Sequence, residues 1–186
     1  QREEIKAEEN ILPPARSDYL LWLGLSATGS VLLLAVTNHV TQNVASIPLL
    51  WLAPLTIYLL TFIVAFEGGN LGRNLYRVEI FWSVLLVWLG GMAWLLVDKD
   101  YQFDLWLQLG MFLSGLFVGC MFCHGELYRA RPGARHLTGF YLTISAGGAL
   151  GGLFVAVVAP LAFKAYYELG VALVALAYLA VLRFSP

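Results

Sequence analysis

Six continuous apolar runs, each near twenty residues long and parted by short polar breaks, fill most of this chain. They cover about Tyr19–Val36, Pro48–Phe66, Val78–Val97, Leu105–Cys123, Phe140–Phe163 and Tyr166–Leu182. A run of that length matches a helix crossing about 30 Å of hydrocarbon. The runs are continuous rather than alternating, and lipid requires every backbone N–H and C=O to be satisfied within the segment, so helices are expected rather than strands. Composition agrees: 60% of the 186 residues are hydrophobic and 12% charged, against about 25% charged in a soluble domain. The predicted fold is therefore all-α, a polytopic integral membrane bundle of about six transmembrane helices over residues 19–186. Residues 1–18 form a polar N-terminal segment or linker broken at Pro13-Pro14, and Pro160 is placed to kink the fifth span.

The basic residues predict an orientation. Arg2, Lys6 and Arg16 precede the first span, Arg73 and Arg77 the third, Arg129, Arg131 and Arg135 the fifth, and Arg183 follows the sixth. Only Lys99 and Lys164 fall on the other side. The positive-inside rule then puts both termini in the cytoplasm. Trp22, Trp51, Trp82, Trp94 and Trp106 sit toward span ends, as interfacial anchors do. The opening QREEIKAEEN has no apolar h-region and no cleavage site, so it does not read as a signal peptide. No initiator Met is present and the last residues stop just past an apolar run, so the chain is expected to be part of a longer polypeptide or a processed subunit. A net charge of −1 gives no reason to expect a nucleic-acid partner.

Four features carry candidate chemistry. Cys120-Met121-Phe122-Cys123-His124 has the C-x-x-C-H spacing of covalent haem attachment. Cys120, Cys123 and His124 are thus haem candidates, or zinc candidates if His136 supplies a further ligand. Against haem, the predicted topology puts the motif on the cytoplasmic side, away from the attachment machinery. The favoured reading makes Cys120 a small buried apolar residue and begins a polar loop at Cys123-His124. That loop, with His124, Glu126, Arg129, Arg131, Arg135 and His136, reads either as an anion or lipid-headgroup site or as a positive-inside anchor. Glu126 and Arg129, at i,i+3, pair if the helix continues. Asn38, His39, Gln42 and Asn43 lie between the first two spans, where a helical continuation would give an outward vestibule and a hydrated loop is the plain alternative. Gly147/Gly151 and Gly148/Gly152 form two overlapping G-x-x-x-G pairs, which flatten a helix face for close packing.

Two stretches carry a resemblance. AVTNHVTQNVASIPLLWLAPLTIYLLTFIVAF (Ala35–Phe66) and CHGELYRARPGARHLTGFYLTISAGGALGGLFVAVVAPLAF (Cys123–Phe163) cover about 40% of the chain. They resemble the membrane region of bacterial polytopic proteins fused to a spermidine-synthase-like domain. In that family the recurring element is CHGEL, here Cys123 to Leu127, which leaves Cys120 incidental. The resemblance implies a bacterial membrane domain with a possible polyamine link. The synthase part, with its Gly-rich loop after a strand, has no counterpart among these residues, so aminopropyl transfer is not expected of them. GNLGRNLYR (Gly69–Arg77) sits where major-facilitator transporters carry G-x-L-x-D-R-x-G-R-R, but lacks the Asp and is one residue short.

Three functional expectations follow. The leading one is a non-catalytic membrane subunit or domain, embedded in the lipid bilayer, that scaffolds or docks other membrane subunits through the glycine face of the fifth span. The second is a transport or small-molecule domain for polyamine-like substrates, weakened because Glu79 and Glu126, near the cytoplasmic interface, are the nearest carboxylates to hydrocarbon. The third is haem or pigment binding; His39, His124 and His136 all fall near span ends.

Overall fold

The computed structural model describes residues 13–44, 48–67, 78–97, 104–163 and 167–184. Six helices make up the described residues, with no strand among them: α1 (Arg16–His39), α2 (Leu52–Glu67), α3 (Val78–Val97), α4 (Leu105–Arg129), α5 (Leu137–Leu153) and α6 (Glu168–Phe184). A π-type turn, Val40–Val44, prolongs α1. A 3₁₀ turn, Ala134–His136, leads into α5, which runs on through a π-type turn, Phe154–Val158, and a last α turn, Ala159–Ala162. Three of these rods are long and apolar enough to cross a membrane: Arg16–Gln42, Leu105–Arg129 and Ala134–Ala162. Pro160 sits in the first turn of the closing segment, where its missing N–H costs little.

Helix α1 is the hub. Its buried positions Trp22, Leu25, Ser26, Gly29, Leu32 and Val36, together with Thr28, Val31 and Ala35, cover more than one face. Helices α4, α5 and α6 all pack on it. Every residue of α4 from Val118 to Leu127 is buried, as expected of a helix enclosed by neighbours rather than lying on a surface. Trp22, Phe112, Phe122 and Phe140 are the bulkiest side chains of this core.

The pairings fix directions. Gly147 of α5 meets Leu23, and Gly151 meets Ala27, so α1 and α5 run parallel. Cys123 lies by Gly29 and Gly119 by Leu32, so α4 runs against α1. Phe66 meets Tyr128 while Thr61 meets His124, and Arg183 meets Glu126 while Leu176 meets Gly119, so α2, α4 and α6 share one direction. In consequence Arg16, Arg129, Arg131, Arg135 and Arg183 lie at one end of the bundle. The other basic residues fall within 1–12, 68–77, 98–103 and 164–166, outside the described residues.

The α1–α5 contact is the tightest in the fold. A Cβ on Gly147 would lie 2.6 Å from the Leu23 carbonyl oxygen, and one on Gly151 would strike the Ala27 carbonyl. Gly148 has Ser30 Oγ at 3.3 Å from its Cβ position, and Gly152 nothing nearer than Leu34 at 3.9 Å. Of the two overlapping pairs, then, only Gly147/Gly151 is closed against backbone. The face expected to dock other subunits is occupied within the chain, by α1. Small residues let the two backbones approach, and Ser26 Oγ uses the approach to donate to the Ile144 carbonyl.

Helix α4 does not end at Cys123. It continues six residues to Arg129, so Cys123-His124 opens no loop. The polar letters of CHGEL look like a break only while their partners are unseen.

Candidate functional site

The extended end of α4 carries the polar chemistry of the bundle. His124 is 2% exposed. Its Nδ1 lies 3.1 Å from Thr61 Oγ1 of α2. Thr61 already donates its only hydroxyl proton to the Tyr58 carbonyl, at 2.8 Å. The Thr61 hydroxyl thus bridges the Tyr58 carbonyl and the His124 ring. Tyr58 and Phe62 meet the ring edge-on at 4.9 and 5.2 Å. Gly29 of α1 closes the third side, with a Cβ position 3.9 Å from Nε2. A single histidine thus joins α1, α2 and α4. Thr61→Val is expected to lower stability by about 1–2 kcal/mol by leaving the buried His124 ring nitrogen unpaired, whereas Thr61→Ser should be near neutral, read as melting midpoints in detergent.

Two residues on, Glu126 is 1% exposed and engaged through both oxygens. Arg129 Nη1 reaches Oε1 at 3.1 Å and Arg183 Nε reaches Oε2 at 2.6 Å. The i,i+3 pairing expected if the helix continued is present, and a second guanidinium comes from α6, 57 residues away. Both arginines keep part of their surface in solvent, 50% for Arg129 and 31% for Arg183. The carboxylate is buried while its counter-charges reach outward, an arrangement suited to a helix end at a membrane interface.

The other basic residues form a separate corner between α4 and α5. Arg131 stacks over Tyr128 at 4.2 Å, Arg135 is exposed, and His136 has a buried Nε2 with no hydrogen-bond partner among the described residues. Trp22 holds this corner to α1: its indole N–H donates to the Ala130 carbonyl at 3.0 Å, and its ring meets Phe140 edge-on. The six residues read from sequence as one loop site therefore divide into an interior pair, His124 and Glu126, and an outer group.

At the opposite end, the TNHVTQN stretch prolongs α1 instead of forming a loop. Thr37 and Thr41 turn their hydroxyls back onto the Leu33 and Thr37 carbonyls, both at 2.7 Å. His39 stacks obliquely on Phe112 at 4.4 Å. Asn38 is half-buried and Gln42 exposed; the Asn43 side chain lies outside the described residues. Glu168, the first residue of α6, is 6% exposed and within Coulombic reach of His39.

Cys120, Cys123 and His124 share one face of α4, at i, i+3 and i+4, and both thiols are fully buried. Among the described residues, no three His, Cys, Asp or Glu side chains converge as a metal-holding group. A cavity of about 180 Å³ between α3 and α4 is lined by Gly91, Trp94, Leu95, Leu107, Gln108 and Met111 and is apolar in character.

Sequence reading missed Thr61, Tyr58 and the pairing of Arg183 with Glu126. A lone threonine inside IYLLTFIVAF was the available signal, since a hydroxyl at that depth needs a partner. No family model matches the chain, and no curated protein or solved structure is detectably similar to it.

Proposed function

We propose that this chain is a non-catalytic, multi-pass membrane domain, crossing a bacterial inner membrane six times with its arginine-bearing end in the cytoplasm, and that it serves as a scaffold for a larger membrane assembly. The observation that carries the reading is the engagement of Glu126 by two arginines from different parts of the fold. A buried acid paired with two guanidinium groups has its charge already balanced, which leaves little attraction for a cationic substrate, and it fastens α6 to α4. His124 is likewise spent on joining three helices, and Gly147/Gly151 on seating α5 against α1. The resemblance to the membrane region of spermidine-synthase fusions is compatible with such a role.

The test is isolation from native membranes in mild detergent, where the chain should elute with other subunits. Reconstituted alone, it should take up labelled spermidine no faster than protein-free vesicles. A thiol reagent should reach Arg135→Cys only from the cytoplasmic side. Uptake above background that is abolished by His124→Ala would overturn the scaffold reading in favour of a transport domain. That second reading draws on one observation, an imidazole held in an aromatic cage inside the bundle, since ionisable groups in spans are functional by default.

A further inference from the structure

The corner between α4 and α5 gathers features that the fastening of the bundle leaves unused. The guanidinium carbon of Arg131 sits over the Tyr128 ring, 4.2 Å from its centre. Stacking occupies the face of a guanidinium and leaves its in-plane N–H fork for an oxyanion. Arg135, four residues on, is exposed. His136 follows, half-buried, its Nε2 without a hydrogen-bond partner among the described residues. Helix α5 starts at the next residue, bringing the positive end of its dipole to the same place.

An apolar track leaves this corner. On α5, Leu142, Ala146, Ala149, Leu150, Leu153 and Val157 are all exposed and recur at helical spacing, so they line one outer stripe. A cationic head above a continuous hydrocarbon-facing stripe fits an amphiphile whose anionic end carries phosphate. We propose that the Arg131–His136 corner is a specific binding site for the phosphate headgroup of an anionic phospholipid, with its acyl chains along the outer stripe of α5. Neither the scaffold role nor any other activity of the chain is needed for this. A lipid is favoured over free phosphate because the stripe gives the rest of the molecule an apolar path.

The purified chain in neutral detergent would be offered phosphatidylglycerol, phosphatidylcholine or inorganic phosphate, and bound lipid read by native mass spectrometry. Phosphatidylglycerol should be retained in preference to phosphatidylcholine. Retention should fall roughly fivefold for each arginine removed, and so roughly 25-fold in Arg131→Ala/Arg135→Ala, because each basic residue contributes comparably at an anionic surface. Arg135→Lys should retain most of the preference, and Arg16→Ala, at the same end of the bundle, all of it. Unchanged helicity by circular dichroism would show that the variants remain folded. Equal retention of the two lipids, or an unaltered double variant, would overturn the proposal. So would displacement by millimolar inorganic phosphate, which would make the corner a simple anion site. A co-isolated protein lost with the same arginines, without lipid selectivity, would give the corner to a protein partner instead.

Discussion

Gly151→Leu is expected to cost the bundle roughly 3 kcal/mol, the upper end of the range for overpacking, because what stands in the way is backbone. A Cβ at that position would overlap the Ala27 carbonyl, and helix α1 cannot yield there without moving Leu25, Leu32 and Trp22 from the centre of the core. A flexible side chain would give way; a carbonyl in a helix does not. In a domain of this size the change corresponds to a fall of about 6–12 °C in the melting midpoint. Gly147→Leu should behave alike, its Cβ position lying 2.6 Å from the Leu23 carbonyl oxygen. Gly148→Ala is the discriminating control. Only the rotatable Ser30 hydroxyl lies close, at 3.3 Å, and alanine improves helix propensity, so its effect should stay within about 1 kcal/mol. If Gly148→Ala and Gly151→Leu destabilise equally, the two glycine pairs are equivalent and the one-sided packing of α5 on α1 is wrong.

The second large effect concerns Glu126. Arg183→Ala should destabilise by about 2–3 kcal/mol, somewhat below the usual cost of breaking a buried ion pair because the guanidinium itself is partly solvated. Arg129→Ala should cost about 0.5 kcal/mol, the value of a half-exposed i,i+3 partner. The asymmetry follows from position: Arg129 shares a helix with Glu126, whereas Arg183 ties two helices together. A double-mutant cycle between Glu126→Gln and Arg183→Ala should return about 2 kcal/mol of coupling. Near-zero coupling would mean that the carboxylate is satisfied elsewhere and that α6 is held by its apolar face alone.

The helices were legible because hydrocarbon imposes a length. Runs ending near Phe66 and Val97 end there in α2 and α3 as well. What deceived was polarity read without partners. CHGEL looks like a break from the span until Thr61, Tyr58 and Arg183 are placed around it, and those partners stand 57 or more residues away in sequence. The TNHVTQN stretch takes the helical continuation rather than the loop that its polarity also allowed, its threonines bonding to the preceding turn. The glycine spacing announces a close approach, yet nothing in it says that the neighbour is α1 or that only one of the two pairs is closed. The π-type turn after Leu153 has a mark in Pro160, whose ring crowds the carbonyl four residues back, within the turn, whereas the one after His39 has none in the residue types.

The hub position of α1 has a consequence for biosynthesis. Of the described helices, α1 is made before the others, yet its surroundings are completed last. Its 27-residue apolar rod is long enough to span a bilayer. Trp22 must then wait for Ala130, 108 residues downstream, and Ser26 for Ile144, 118 downstream. During that interval its indole and hydroxyl have only water, lipid headgroups or their own helix to bond. Enclosure of α1 therefore comes late, once α5 and then α6 have been made, and an interrupted translation product would leave this apolar helix uncovered by its neighbours.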